Sequence, residues 1–406
     1  MPQDHDQATT SQRRHDLDWL RVLAILLLHV FHTGMFFNNW GWHIKNPDRL
    51  PVIELPMELM HLWRMPLLFF ISGVGTILAL RSRTILGFVR ERHLRLLVPL
   101  IFGMIVIVPP QIYAERLTQG QHFASLWAFW RTVFQGVPYP EGNTSWHHLW
   151  FVLYLFFYAM LVTPLLAWGR SRSGAAFMAR LRGVLASGAT VWLLALPLAV
   201  TEIALRWRWP TTHNLVSDWA NFSFHGLLFL YGTLIGFEER IWDHLTRYRR
   251  VSLGLAVATL GIGLIDDVRG IEGGYPYVWE YLMRSCLTWF CVLTCAGYGR
   301  RYLSFRNRFV ALANEGIYPF YILHQTVIIV LAYPMIGWAL APWPKLVVLA
   351  VSSFVVSWAI YALLIRPWPC VRPFFGMKPR RGPTRRAEQP GRGSVAIGAR
   401  QSTALQ

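Results

Sequence analysis

The chain has 406 residues, of which 54% are hydrophobic and only 15% are charged, and it contains 20 Trp and 25 Phe. This composition excludes an ordinary soluble surface and indicates a membrane protein. The formal net charge of +18 arises from 39 Lys and Arg against 21 Asp and Glu. Basic proteins often bind nucleic acid, but these charges flank apolar segments, so we expect a lipid bilayer and no nucleic acid as partner.

A polar N-terminal stretch, residues 1–16, lacks the features of a cleaved signal peptide, and ten apolar segments follow it. Most of them approach the roughly 20 residues that cross a bilayer as a helix, although the third and the seventh are short. We therefore predict an all-α integral membrane protein with about ten transmembrane helices in one domain, residues 17–366. The predicted segments are Leu17–Phe37, Glu58–Leu80, Leu94–Val108, Leu149–Trp168, Val184–Ala204, Trp219–Phe237, Val251–Ile265, Trp279–Tyr298, Phe309–Ala332 and Leu346–Ile365.

The Lys and Arg residues are distributed unevenly between the two sets of loops that these segments create. On the side of the N terminus there are 28, on the opposite side eight, and three lie within the segments. The positive-inside rule then predicts cytoplasmic termini for a multi-pass protein of a bacterial inner membrane. Residues 367–406 are rich in Arg, Gly and Pro, which predicts a basic, disordered cytoplasmic tail.

The first segment carries Asp18, Arg21, His29 and His32. At about 100° per residue these four side chains fall within one narrow arc of a helix. A charged side chain near the bilayer centre costs about 3 kcal/mol or more, so such residues usually face a protein interior or a watery cavity. A network of satisfied polar groups between packed helices is the alternative interpretation. Two histidines and an arginine on one stripe favour a functional site.

Polar residues in later segments are predicted at the depth of His32. The second segment carries His61 and Arg64, the fourth begins near His148, and the ninth carries His324. Histidine has a pKa of about 6.5 and can act as a general base at neutral pH. A single one of these histidines is equally well explained by a hydrogen bond or an interfacial position. Convergence of four segments at one depth favours His32 and His324 as chemical groups.

Arg92 and Arg95 lie where the third segment leaves the cytoplasm. Two guanidiniums one helical turn apart suit the phosphates of a nucleotide-like donor. Positive-inside charge alone explains their position equally well.

The eighth segment contains Cys286, Cys291 and Cys295 without Cys-x-x-Cys spacing. This pattern favours small packing residues over a disulfide framework or a zinc site. We therefore expect no bound metal.

Five short motifs together resemble the signature of the membrane acyltransferase-3 family. They run through the first, second, third, fourth and ninth segments, so the resemblance covers essentially the whole membrane domain. The motifs are Arg21-x10-His32, Phe69-Phe70-Ile71-Ser72-Gly73, Arg92-x-x-Arg95 before Pro99, His148-Leu-Trp-Phe151 and Tyr321-Ile-Leu-His324. Trp19 beside Asp18 and Arg64-Met65 before the Ser-Gly motif further resemble a branch that succinylates periplasmic glucans.

This resemblance implies transfer of an acyl group from a cytoplasmic donor to a hydroxyl on the outer side. The donor would be acyl-CoA (acetyl-CoA or succinyl-CoA) as co-substrate, with no bound cofactor, and the acceptor a carbohydrate. His32 is implied as the leading catalytic residue, with His324, and with Arg21 orienting it or binding donor. The residues expected to bind substrate are Arg64, Ser72, Arg92, Arg95, His148, Trp150 and Glu315. Glu315 departs from relatives, which often have a small polar residue there.

A secondary transporter or flippase is the second hypothesis, since the same His and Arg stripe would serve as a proton relay. The sequence shows no internal repeat, which favours the enzyme. A structural membrane subunit without chemistry is the third. The sequence does not identify the acyl group, the acceptor or the oligomeric state.

Overall fold

The computed structural model describes residues 14–80, 83–186, 188–236, 238–269 and 277–378. Within these ranges the protein is all-α and contains no strand beyond one isolated bridge between Pro138 and Thr144. The α-helices in these ranges are α1 His15–Met35, α2 Glu54–Leu80, α3 Ile85–Arg92, α4 Val98–Phe102, α5 Pro109–Thr118, α6 Leu126–Val133, α7 Trp150–Trp168, α8 Arg172–Leu185, α9 Thr190–Leu193, α10 Ala195–Leu205, α11 Trp219–Ile235, α12 Glu239–Arg247, α13 Arg249–Arg269, α14 Tyr277–Tyr302, α15 Arg308–Met335 and α16 Pro342–Ile360.

Six helical segments in the described ranges are long and apolar enough to cross a membrane. Two bent pairs raise this number to eight if each pair counts as one span: α8 with α9 and α10, bent by 102°, and α11 with α12, bent by 107°. The chain is thus a multi-pass membrane protein, and the predicted number of ten spans is not confirmed. The six segments are His15–Met35, Pro51–Leu80, Ile85–Thr118, His147–Trp168, Arg308–Met335 and Pro342–Ile365.

Helix α2 lies at the centre of the domain and packs closely on α11 through glycines. A Cβ atom on Gly73 would lie 2.0 Å from the carbonyl oxygen of Phe229, and one on Gly232 would lie 2.0 Å from that of Phe70. Only glycine allows two helix backbones to approach so closely. The contact fixes α2, which carries Arg64, against the rest of the core.

The third membrane segment is continuous from Ile85 to Thr118 but not uniformly α-helical. Two π-helical turns, His93–Leu97 and Gly103–Ile107, interrupt it on either side of α4. Such wide turns occur mainly at functional sites, because they re-aim the side chains around them. The first π turn contains Arg95 and directly follows Arg92.

The folded domain extends to residue 378, beyond the predicted start of the tail at 367. Phe375 and Arg372 are buried, and the Arg95 Nε donates to the carbonyl oxygen of Gly376 at 3.1 Å. The prediction of a disordered tail therefore needs correction for residues 367–378, because their aromatic and basic side chains find partners on the helices. Residues 379–406 and residues 1–13 of the N-terminal stretch lie outside the described residues.

Candidate active site

Two histidines from distant parts of the chain form a hydrogen-bonded pair inside the domain. His32 on α1 places its Nδ1 2.8 Å from the Nε2 of His324 on α15. The two rings are nearly parallel, with an interplanar angle of 11° and 5.0 Å between centroids. The predicted convergence of the first and ninth segments at one depth thus produces a direct contact.

The hydrogen bonds of His324 determine which nitrogen of His32 carries a lone pair. The Nδ1 of His324 lies 2.6 Å from the backbone carbonyl oxygen of Tyr321, which can only accept. Nδ1 therefore carries the proton, and Nε2 of a neutral His324 accepts one from Nδ1 of His32. Neutral His32 is left with its lone pair on Nε2. This assignment rests on the hydrogen-bond partners, and it makes Nε2 of His32 the available base or nucleophile.

His148 and His29 flank the pair, and both are anchored to backbone. The Nε2 of His148 donates to the carbonyl oxygen of Ile322 at 3.0 Å, and the His148 ring meets the His324 ring edge-on at 5.4 Å. The Nε2 of His29 donates to the carbonyl oxygen of Ala350 at 3.0 Å. Each ring is thus anchored beside the pair by a hydrogen bond to backbone.

Arg64 is a buried cation next to the pair. Only 2% of this residue is exposed, and its guanidinium lies 4.1 Å from the centroid of the Phe31 ring. Its charge acts electrostatically on both His32 and His324. Its Nε and Nη1 are buried without a hydrogen-bond partner in the described part of the chain. An unpaired buried donor costs about 1–3 kcal/mol, so these atoms are suited to receive a ligand.

A cavity of about 180 Å³ opens beside α2 and is lined by His61 and Met65 among others. His61, which lines it, stacks on Phe31 at 5.5 Å with an angle of 16°, and Phe31 adjoins His32. Phe31 therefore lies between His61, which lines the cavity, and His32. The cavity mixes aromatic and polar groups, as sugar sites do. Further residues that line it include Trp150, Arg206, His213, His225, Tyr281 and Ser285.

The loop that precedes α11 completes this cavity. His213 stacks on Trp150 with 4.4 Å between ring centroids. Burial lowers the pKa of His213 although Asp218 opposes this effect, so the ring is neutral at neutral pH. Tyr154, by contrast, is fully buried and donates to Asp218 at 2.6 Å. Trp150 is thus the residue of the fourth segment's motif that faces the cavity.

A second polar region lies at the other ends of α1 and α15. Arg21 contacts Asp18 at 3.5 Å and donates to the side chain of Asn314 at 3.3 Å. His32 lies eleven positions after Arg21, which is about 16 Å along a helix. Arg21 therefore does not orient His32, and His324 occupies that position instead. The donor-binding alternative for Arg21 remains.

Arg92 and Arg95 adjoin this region. The Arg92 side chain is only 16% exposed, lies over Phe88 at 4.8 Å, and is within electrostatic range of Arg21 and Arg95. Its Nε is buried without a hydrogen-bond partner in the described residues. Both guanidiniums pair with Glu91, Arg92 at 3.8 Å and Arg95 at 3.4 Å, and the Arg95 side chain is 42% exposed. Of the two, Arg92 has the environment of a ligand-binding group.

Two further predicted substrate-binding residues are Glu315 on α15 and Ser72 on α2. Glu315 forms ion pairs with Arg366 at 3.5 Å and with Arg372 at 3.6 Å, so its contacts fasten the C-terminal residues. Ser72 is half-buried on α2 beside Gly73, at the contact with α11. The ion pairs of Glu315 are structural contacts, whereas substrate binding by Ser72 stays a prediction.

Several residues that the fold brings to the site were not predicted from the sequence. Tyr318 lies on α15 between the two regions, and its hydroxyl is buried without a partner in the described part of the chain. Ser285 on α14 has the same property and lines the outer cavity. The three-residue spacing of Tyr318, Tyr321 and His324 on α15 is the one signal that could have identified Tyr318.

Comparisons with known proteins extend these observations. The family model described as Acyltransferase domain matches residues 14–362. Glucans biosynthesis protein C of Escherichia coli strain K12 is 25% identical over 163 residues, which is 39% of this chain and 39% of the relative. The same protein from Escherichia coli O1:K1 / APEC matches over the same lengths. The chain thus aligns with 39% of the length of the curated relatives it matches. No solved structure matches it.

Proposed function

Since this chain belongs to the Acyltransferase domain family and is an acyltransferase, we propose that it transfers an acetyl or succinyl group to a carbohydrate hydroxyl outside the bacterial inner membrane. The donor in this proposal is a cytoplasmic acyl-CoA. The observation that supports it is the position of the His32–His324 pair. The pair lies between the basic region around Arg21 and Arg92 and the cavity lined by aromatic and polar residues. A transferase whose donor and acceptor come from opposite sides of the membrane needs its catalytic residue between the two binding sites.

The topology of the proposal is ten helical segments with both termini in the cytoplasm. The excess of Lys and Arg in alternate loops supports this orientation. It places Arg21 and Arg92 at the cytoplasmic side, where the phosphates of acyl-CoA would pair with guanidinium groups. It places the cavity around Trp150 at the outer side.

In the proposed reaction, Nε2 of His32 removes the proton of the acceptor hydroxyl as the hydroxyl oxygen attacks the thioester carbonyl carbon. The tetrahedral intermediate then collapses, the carbon–sulfur bond breaks, and the leaving thiolate takes the proton back from His32. The products are an ester and free CoA thiol. His324 accepts the hydrogen bond from Nδ1 of His32 throughout and stabilises the imidazolium.

Arg64 has the role of stabilising the negative charge that develops on the carbonyl oxygen. Its two unpaired buried N–H groups support this role, because donors that are already oriented and dehydrated cost no reorganisation during the reaction. Loss of one such donor typically lowers kcat by about 10²–10³.

The acceptor proposal rests on the cavity and on the relatives' names, which refer to glucan biosynthesis. It is tested by comparing periplasmic glucans from a deletion strain and a complemented strain by anion exchange and mass spectrometry. We expect acyl mass, and negative charge if the group is succinyl, only in the complemented strain. Identical glucans in both strains would refute a glucan acceptor. Solute flux into vesicles without ester formation would instead support a transporter.

A further inference from the structure

We propose that His43, Glu115 and His147 bind one Zn²⁺ ion at the outer side of the domain. His43 follows α1, Glu115 lies on α5, and His147 precedes α7. One ligand atom from each residue lies within 4.8 Å of the other two. Two imidazoles and a carboxylate with an open fourth position are a ligand set typical of zinc. The cysteine pattern gave no indication of this site.

Each of the three side chains has a further partner on its other polar atom. Such outer contacts fix the orientation and tautomer of metal ligands in known sites. The partners are Tyr139, which donates to Oε1 of Glu115 at 2.6 Å, Ser145, whose Oγ is 2.7 Å from Nδ1 of His147, and Gln325, whose amide is 3.3 Å from Nε2 of His43. These contacts leave Oε2 of Glu115, Nε2 of His147 and Nδ1 of His43 for the ion.

A buried hydrogen-bonded pair is the simpler explanation for two of these atoms. Nδ1 of His43 lies 2.6 Å from Oε2 of Glu115. The pair does not account for His147, whose Nε2 is buried without a hydrogen-bond partner in the described ranges. The His147 ring stacks on His43 at 4.4 Å, and its backbone φ of 41° lies in the left-handed region. Unpaired burial and this backbone conformation both cost free energy, which a metal bond offsets.

Zinc binding requires a redistribution of protons that the surrounding groups allow. The proton on Nδ1 of His43 is released, and Nε2 takes one up. The side-chain amide of Gln325 then turns so that its oxygen accepts a hydrogen bond from this N–H, and the amide of Gln111, which accepts from Gln325 at 3.1 Å, turns with it. Arg116 is the nearby cation, and its guanidinium donates to the carbonyl oxygens of Pro140 and Gly142.

The position of the ion suggests what it does. His147 immediately precedes His148, and Gln325 immediately follows His324. His148 and His324 contact each other through their rings. An ion at His43, Glu115 and His147 would therefore hold the outer wall of the candidate active site in place. This is a positioning role, and zinc takes no part in the acyl transfer.

The test is zinc binding by the purified full-length protein in detergent after treatment with a chelator. Zn²⁺ is titrated in competition with a chromophoric chelator, and bound metal is counted by elemental mass spectrometry. We expect one equivalent per chain, with at least tenfold weaker binding in His147→Gln and in Glu115→Gln. The matched control is His122→Gln, since His122 is an exposed histidine of the same outer loop.

Two results would overturn the site. One is wild-type protein that binds no more zinc than the His43→Gln/His147→Gln double variant. The other is unchanged affinity in His147→Gln. If Glu115→Gln fails to elute as a monodisperse species, His147→Gln decides alone. Nε2 of His147 has no hydrogen-bond partner among the described residues that this substitution would remove. The measurement uses no acyl donor or acceptor, so its outcome is independent of the proposed reaction.

Discussion

Nδ1 of His32 lies 2.8 Å from Nε2 of His324, although 292 residues separate them in the chain. The backbone carbonyl oxygen of Tyr321 fixes the proton on the far side of His324. One histidine thereby sets the tautomer of the other. In the proposed reaction His32 is the reactive member of the pair and His324 the positioning member.

The first prediction distinguishes a positioning role for His324 from a purely structural one. In His324→Gln the side-chain amide oxygen can still accept the hydrogen bond from His32, whereas in His324→Leu nothing can. We expect His324→Leu to lower kcat by about 10²-fold or more, within the range typical of acid–base catalysis, and His324→Gln to retain more activity.

The measurement is kcat across pH for wild type and both variants, with thermal unfolding as the control for folding. The lower limb of the pH profile should move in His324→Leu, because the His32 imidazolium loses its hydrogen-bond acceptor. Equal activity and equal profiles in the two variants would contradict the assignment.

The second prediction concerns the donor. Arg92→Gln should weaken acyl-CoA binding by at least tenfold, because a largely buried guanidinium that pairs with phosphate is lost. Arg95→Gln should have a smaller effect, since the Arg95 side chain is 42% exposed and that of Arg92 only 16%. Calorimetry with acyl-CoA on purified protein checks both. The control is Arg90→Gln, which removes an exposed charge from the same helix. Unchanged affinity for acyl-CoA in the Arg92→Gln/Arg95→Gln double variant would mean that both residues contribute only to the positive-inside charge.

The third prediction concerns the acceptor. Trp150→Leu should raise KM for the acceptor several-fold and leave KM for acyl-CoA unchanged, because Trp150 lines only the outer cavity. The control is Trp127→Leu, which removes an indole that is 69% exposed and lies away from the cavity. Initial rates with each substrate varied in turn provide the measurement. A rise in KM for the donor alone would mean that the cavity binds the donor and not the acceptor.

The fourth prediction concerns stability. Gly232→Ala should destabilise the fold by about 1–3 kcal/mol, because a Cβ would lie 2.0 Å from the carbonyl oxygen of Phe70 and force α2 and α11 apart. Gly261→Ala on α13 meets no atom within 4 Å and should be neutral or stabilising, since alanine favours helix by about 1 kcal/mol. Thermal unfolding in detergent distinguishes the two. Similar unfolding midpoints for both variants would refute the close helix contact.

The predicted depth of each residue in the membrane was enough to anticipate that His32 and His324 lie close together. A rise of about 1.5 Å per residue and alternating orientation placed His32 and His324 at one level before any contact was known. The same argument separates Arg21 from His32 by about 16 Å along α1, and in the fold Arg21 contacts Asn314, near the N-terminal end of α15. Regular geometry carries such information because each membrane helix crosses in a nearly fixed direction.

Contacts made by irregular segments could not be anticipated in this way. Glu315 seemed to belong to the site because of its position on the ninth segment, but its partners Arg366 and Arg372 come from residues assigned to the tail or its edge. The zinc ligands His43 and His147 lie in connections between helices, where no periodicity relates them to each other. Hydropathy likewise cannot predict the π turns that precede and follow α4.

The central claim is that His32 performs acyl transfer, and the most direct measurement is transfer by purified protein in liposomes. Labelled acyl-CoA is supplied on the donor side, carbohydrate acceptor on the other, and wild type is compared with His32→Ala and with His122→Ala, which removes an exposed histidine. We predict that His32→Ala loses transfer by about 10²–10⁴-fold while acyl-CoA affinity and thermal unfolding stay unchanged, and that His122→Ala retains wild-type transfer. Transfer at the wild-type rate by correctly inserted His32→Ala would contradict the account.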